Sequence, residues 1–407
     1  METETYREGN ASSMKSETTT VRTTQKWPWF VTPIVFLIVF LLFFAIFVIP
    51  MGIGQAINTL MNTAYHILMN TVFYIMAIAV IAGAISELLS EFGVVRLINV
   101  LLSPLMRPLF GMPGASALGV VTTYLSDNPA ILTLANDHKF RRYFKAYQVP
   151  ALTNLGTAFG MGLIVTSSML ALSTKLGSGV AWAALCGNLG TVVGAMVSTR
   201  LMLFFMKKVY GTEAEAPIPQ QQAEERPESE KPRGFLRVLN ALMEGGKKGV
   251  DLGLAIIPGV LVICSLVMML TYGPPADGVY TGAAREGIAL LPKIADRIGF
   301  LLKPLFGFSS NEALAIPVTA LGSAGAALSL ITQFVADGNV SLNDIAVFTA
   351  ICMCWSGYLS THVSMMDALK CNRFTGKAIL CHTIGGIAAG VAAHWLFVLI
   401  SMLVGIR

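Results

Sequence analysis

In "TTYLSDNPAILTLAND", residues 122 to 137, Ser126, Asp127, Asn128 and Pro129 stand between two apolar stretches. An ionised Asp at the centre of a bilayer costs roughly 2.5–3.5 kcal/mol on insertion scales, so its presence there needs a reason. Asp127 can bind a cationic or hydroxyl-rich group, or carry a coupling proton. It can also cap the helix that follows, because Asp is a favoured helix-start residue. Pro129 removes a backbone donor and disrupts the preceding turn, which predicts a broken segment with "SDNPA" at its tip.

A second set of polar residues repeats at helical spacing. In "AVFTAICMCWSGYLSTHVSMMDAL", Thr349, Cys352, Ser356, Ser360, Ser364 and Asp367 recur every three or four residues and would share one helix face. Thr153, Thr157, Gly160 and Ser168 hold a corresponding face earlier in the chain, with Asn154 beside it. These stripes can line a solute path, or let membrane helices approach and bond across. The substrate-binding candidates are Ser126, Asp127, Asn128, Asn154, Thr157, Ser323, Ser356, Ser360 and Ser364. His362, His382, Glu312, Glu87, Glu91, His66 and Arg200 read more simply as bonded core or interfacial residues.

Hydrophobic residues make up 54% of the chain and charged residues 13%, about half the usual share for a soluble domain, which defines an all-α, polytopic membrane protein. The formal net charge is +5, and the basic residues sit in short loops, which excludes a nucleic-acid partner. The six cysteines lie in or beside apolar segments and read as small hydrophobes; Cys352-x-Cys354 points to opposite helix faces and is a poor metal pair. No P-loop, Gly-rich dinucleotide loop, HExxH or Ser/His/Asp arrangement occurs, so no catalytic residue, metal or cofactor is expected and the chain is not expected to be an enzyme.

Apolar stretches near the ~20 residues needed to cross a bilayer occur at 28–50, 67–90, 147–172, 178–206, 249–270, 344–366 and 376–402. Two more, 114–135 and 311–335, are interrupted by Gly, Pro, Asp or Ser. The segment 211–234, rich in Pro, Glu and Gln, predicts a solvated linker between two halves. Under a 196-residue shift, "RPLFGMPGASALGVVTTYL" (107–125) falls on "KPLFGFSSNEALAIPVTAL" (303–321), and "SDNPA" falls on "GSAGA" (322–326), which contains Ser323. Thr153, Ser168, Gly190 and Gly194 fall on Thr349, Ser364, Gly386 and Gly390. The two GxxxG pairs read as packing motifs.

Loop charges set the orientation. The loop 137–146 holds Lys139, Arg141, Arg142 and Lys145, whereas its partner, 333–342, holds no Lys or Arg; the loops 173–178 and 368–377 show the reverse bias. Matched loops are therefore expected on opposite sides of the membrane. Lys207, Lys208, Lys247 and Lys248 predict a cytoplasmic linker, and the N-terminus is expected on the same side with the C-terminus outside. The interrupted stretches must then enter and leave by one face. The expected fold is an inverted-topology repeat, each half three spans plus a re-entrant hairpin, with one extra N-terminal span.

The tandem "PLFG" segment, "SDNPA" hairpin and Gly/Thr-rich span resemble the Gate domain, also called the nucleoside-recognition domain. That domain is shared by concentrative nucleoside transporters, the membrane part of ferrous-iron transporters and spore-maturation proteins A and B, and two-Gate bacterial proteins of the YjiH type are the most similar in pattern. The resemblance covers roughly 60 to 400. Composition and hydropathy predict a disordered N-terminus (1–27), a first span (28–52) and a linker (209–236), and the resemblance implies a first Gate-like repeat (60–208) and a second (237–403). It further implies a multi-pass protein of the bacterial inner membrane. Asp127, Asn128 and Asn154 are analogues, by position, of the polar residues that read nucleosides.

The leading expectation is a transporter or facilitator of a small polar solute, in contact with membrane lipids and open to homo-oligomer or partner-subunit assembly. A non-transporting assembly component that holds a partner or lipid is the first alternative. The second is a divalent-cation path using Asp127, Glu312, Asp367 and Cys352.

Overall fold

The structure is a computed structural model and describes residues 30–135, 138–217 and 234–405. The expected N-terminal segment, 1–27, and residues 218–233 of the linker lie outside the described residues. No strand forms among the described residues, and seven helical stretches are long and apolar enough to cross a membrane. Val31–Met51 leads. The first half then has Ile53–Glu91, Ala146–Leu176 and Gly179–Tyr210; the second has Phe235–Thr271, Leu342–Ala368 and Asn372–Val404. These are called the first, middle and last span of each half. The first spans start earlier than their apolar cores predict, because Ile53–Ile67 and the start of Phe235–Gly259 are amphipathic turns that run on into the core.

Between the first and middle spans of each half lies a hairpin. Hairpin one has arms Ser116–Leu125 and Ala130–Ala135; hairpin two has Ala315–Gly322 and Ala324–Ala336. At 1.5 Å per residue the ten-residue arm Ser116–Leu125 covers about 15 Å, half of a ~30 Å hydrocarbon core, so it cannot cross alone. The arms fold against each other: Gly119 lies so near Ile131 that a Cβ there would come within 2.9 Å of its side chain.

Helix boundaries recur at the 196-residue offset. Val94–Phe110 corresponds to Leu290–Arg297 plus Gly299–Phe306, Gly162–Ala171 to Tyr358–Ala368, and Gly179–Tyr210 to Thr375–Val404. Positive φ angles recur as well: Gly93 (77°) with Ala289 (49°), Gly111 (70°) with Gly307 (61°), and Met161 (57°) with Gly357 (68°). Each middle span is thus broken at matching points, and Met161 holds a left-handed conformation that ordinarily costs an L-residue about 1–2 kcal/mol.

Matching spans pack on each other in opposite directions. Along the first spans, Gly83 meets Gly245, Ala79 meets Gly249 and Met76 meets Gly253; along the last spans, Gly190 meets Ala393, Gly194 meets Ala389 and Ser198 meets Gly385. Rising numbers on one partner meet falling numbers on the other, so each pair is antiparallel. In lipid there is little hydrophobic drive between helices, so close backbone approach supplies the attraction. Gly245, Gly249 and Gly253, spaced by four, form one such seam. The GxxxG pairs divide: Gly190 and Gly194 face the opposite half, whereas Gly386 packs on Trp355 and Gly390 on Phe306 and Ile351.

The loop after the first span of the second half is built around Glu286. Its carboxylate accepts from the Thr281 amide (3.1 Å), the Thr281 hydroxyl (2.5 Å) and the Gly282 amide (3.0 Å), and Asn62 donates to the Gly282 carbonyl at 2.7 Å. Burial opposes its charge, but these donors outweigh burial and hold the carboxyl below its usual range.

Two outcomes are expected. Gly249→Val should destabilise the chain by about 1–3 kcal/mol, since a Cβ there lies 2.4 Å from the Ala79 carbonyl oxygen, whereas Gly246→Ala, with 3.7 Å of room, should melt like the parent in detergent. For Glu286 the folded pKa lies below the unfolded one, so its contribution is complete at neutral pH and is lost as pH falls through the usual carboxylate value of about 4.3 and on toward the folded value. Limited proteolysis of the loop should accelerate over that acid range, and Glu286→Gln should show no such step.

Candidate functional site

Both hairpin tips converge on the break in the middle span of the second half. Breaking a helix frees backbone groups that lipid cannot satisfy. Asn128, 2% exposed, donates from Nδ2 to the freed carbonyl of Ser356 at 2.7 Å, and the Ser356 hydroxyl donates back to Asn128 Oδ1 at 2.7 Å. From the other side, the Gly357 amide donates to the Ala320 carbonyl of hairpin two at 3.0 Å. The break of the first half joins the same point. A Cβ on Gly160 would fall 1.4 Å from Asn128 Oδ1 and 2.7 Å from Ser356 Oγ, so only glycine fits. Gly160 and Ser356 are matched positions of the two halves.

Beside this junction lies a cavity of about 560 Å³, lined by Ser126, Asp127, Thr122 and Leu125 of hairpin one and by residues of both first spans. Its wall on Ile53–Glu91 runs from Ala79 to Ser90, about 16 Å of helix axis. Glu87 and Lys248, paired at 2.5 Å, and Asp251 also line it. Glu91 and Arg237, paired at 2.5 Å one turn beyond, place the cavity at the end of the bundle where the chain returns from the linker. Asp127 Oδ1 accepts from the Asn128 amide at 2.7 Å, a local bond that leaves the carboxylate on the cavity wall.

The other sequence-derived candidates lie elsewhere. Asn154 and Thr157 are fully buried between halves. Asn154 Nδ2 donates to Ser198 Oγ and to the Ala378 carbonyl, both at 2.9 Å, and Thr157 meets the Met365 sulfur at 3.7 Å. Ser198 lies 3.0 Å from His382 Nδ1, and His382 Nε2 lies 2.5 Å from the Cys354 carbonyl, which requires the proton on Nε2 and makes Nδ1 the acceptor. His362 packs against His382 with ring centroids 4.6 Å apart and planes tilted by 44°. This is a polar staple across the halves, away from the cavity lining. Ser323 caps the second arm of hairpin two, accepting from Ala326 N at 3.2 Å. Ser360 and Ser364 are exposed and bond to carbonyls of their own helix, Gly357 and Thr361. The break at Trp355–Gly357 interrupts the expected stripe, so Thr349 and Cys352 are buried while Ser360, Ser364 and Asp367 face outward.

Sequence reasoning missed Gly160 as a contact and Glu87, Lys248 and Asp251 as cavity residues. A carboxylate near the end of one first span and an ammonium in the earlier part of the other were the available signal.

The geometry defines an all-helical, multi-pass membrane protein with a polar cavity beside a broken-helix junction. No family model matches the chain. The sporulation integral membrane protein YlbJ of Bacillus subtilis (strain 168) is 48% identical over 46 residues, 11% of this chain and 11% of YlbJ. Among solved structures, CNTnw in an inward-facing substrate-bound state is similar with a TM-score of 0.50 and 15% identity, covering 91% of each chain. A doubly substituted CNTnw in an outward-facing state has a TM-score of 0.49 and 15% identity over 90% of each chain. The inward-facing likeness establishes a shared fold.

Asn128→Ala should cost about 1–3 kcal/mol by leaving the buried Ser356 carbonyl without its donor. Gly160→Ala should be more damaging alone than in the Asn128→Ala background, where the clash with Oδ1 is gone. Thermal melts of the two single variants and the double variant measure the coupling; strictly additive effects would contradict the contact.

Proposed function

We propose that the chain is a membrane transporter or facilitator for a small polar solute, and that the cavity ending at Ser126 and Asp127 receives it. The observation that carries this reading is the cavity itself: a space between the two first spans with a carboxylate at a broken-helix tip. Non-helical backbone at membrane depth is tolerated where it lines such a space. Antiparallel packing of matching spans supports an inverted-topology repeat, and such folds place solute sites where their halves meet. The fold shared with CNTnw in an inward-facing, substrate-bound state points the same way, and the resemblance to the nucleoside-recognition domain keeps nucleoside-like solutes in view.

Glu87, Asp127 and Asp251 line the cavity against a single Lys248, which Glu87 already pairs. That balance favours a cationic or hydroxyl-rich solute over an anion. With the linker in the cytoplasm of a bacterial cell, as loop charges suggest, the cavity lies toward the inner face. A divalent-cation path has little support: among the described residues no group of three or more His, Cys, Asp or Glu side chains could hold a metal ion. The assembly reading retains one observation of its own. Val31–Met51 is only 11% buried over its apolar window, leaving a nearly whole helix surface for lipid or a partner helix.

A thermal-shift screen of the purified protein against nucleosides, nucleobases, amino acids, amines and organic acids tests the reading. A bound solute at a hundred times its Kd adds roughly 2.7 kcal/mol of stability. The expected result is a shift with one neutral or cationic class, lost together with liposome uptake in Asp127→Ala, which should keep the parent's unliganded melting temperature. Normal uptake by that variant would remove Asp127 from the mechanism, and a stoichiometric membrane partner with no flux would favour the assembly reading.

A further inference from the structure

A second, amphipathic set of spaces in the second half shares no lining residue with the cavity. Its polar end is a space of about 380 Å³ lined by Asp296, Gly299, Lys303 and Asn311. A narrow neck shares Lys303 and Asn311 with that space and Leu302 and Phe308 with a fissure of about 220 Å³. The fissure is lined by apolar side chains, among them Phe306, Val318, Leu321 and Trp355. Through these shared walls a charged pocket adjoins a hydrocarbon-like slot.

Two features make the charged end unusual. Lys303 and Asp296 line the same pocket, yet they form no ion pair with each other or with another described residue. These spaces also belong to one half alone in their chemistry. At the 196-residue offset, Lys303 corresponds to Arg107, but Asp296 corresponds to Val100 and Asn311 to Ala115. The first-half helix Val94–Phe110 is unbroken, and Met106, Phe110 and Met112 are 2%, 4% and 1% exposed. The second-half helix splits at Ile298, and the pocket forms at that split, beside Gly299.

We propose that these adjoining spaces seat a membrane phospholipid whose headgroup carries a primary ammonium beside its phosphate, as phosphatidylethanolamine does. The Lys303 ammonium meets the phosphate, the Asp296 carboxylate and Asn311 side chain meet the headgroup ammonium, and an acyl chain enters the fissure past Leu302 and Phe308. An anionic headgroup lacks a cation for Asp296. A quaternary ammonium lacks the N–H donors that a charge-assisted bond to a carboxylate requires. The site stands apart from the cavity at Asp127, so it holds whether or not the chain moves a solute.

Native mass spectrometry of the full chain in mild detergent, with equimolar phosphatidylethanolamine, phosphatidylglycerol and phosphatidylcholine, tests it. Phosphatidylethanolamine should be retained over each rival by about two- to fivefold, the range of one exposed ion pair. Asp296→Ala should abolish the preference over phosphatidylglycerol, and Lys303→Ala should weaken retention of all three. Both side chains are exposed, so neither variant threatens folding. Val318→Trp should displace every bound lipid by closing the fissure. Equal retention of the three lipids by the parent, or a preference unchanged in Asp296→Ala, would overturn the assignment.

Discussion

An interrupted helix inside a membrane must have its freed backbone groups satisfied by protein, and that requirement organises this fold. The middle span of the second half breaks at Trp355–Gly357. Its loose carbonyl, at Ser356, is taken by the Asn128 side chain, and its loose amide, at Gly357, by the Ala320 carbonyl. Two hairpins from opposite halves are thereby drawn to one point. Because Asn128 must sit within bonding distance of Ser356, the matching break of the first half has room only for Gly160. Hairpin lengths, helix breaks and the meeting of the halves follow from satisfying a few polar atoms without water.

Around that point the two halves are alike in pattern and unlike in detail. Hairpin one leaves Ser126 and Asp127 on a cavity wall. Hairpin two is packed shut at its tip, where Gly322 and Gly325 lie against Ile263 and Ile256. Its far arm is tied down as well. Gln333 donates to Thr71 at 2.8 Å, Arg285 pairs with Asp337 at 2.6 Å, and the Tyr272 hydroxyl donates to Asp337 at 2.9 Å. The polar cavity therefore lies beside hairpin one, with the Glu87–Lys248 pair on its wall, whereas hairpin two is tied by polar bonds along its far arm and borders an apolar fissure on its first arm.

The staple of Asn154, Ser198 and His382 adds a third kind of contact. It joins last span to last span through a chain in which Asn154 Nδ2 donates to Ser198 and Ser198 donates to His382. Each such bond contributes about 1 kcal/mol net, yet losing one partner strands the other in the interior. This explains how polar residues can be fully buried in a membrane protein without touching a solute space.

The apolar windows, the 196-residue register and the break at "SDNPA" were all legible in the sequence, because hydropathy and proline act locally. So was the neighbourhood of Ser126 and Asp127 on a hairpin tip. The polar stripe from Thr349 to Asp367 was legible as a pattern and misleading as a surface. A left-handed Gly357 rotates the helix after Ser356, so a face that is continuous by spacing becomes two faces in space. The partners of Asn128, the steric demand on Gly160 and the cavity role of Glu87, Lys248 and Asp251 depend on contacts between distant parts of the chain. Sequence by itself determined which segments enter the membrane and where they break, since both follow from each residue's own transfer cost and backbone freedom. Tertiary structure decided which polar groups are consumed by each other and which remain on a cavity wall, because that depends on distances set only when the halves pack.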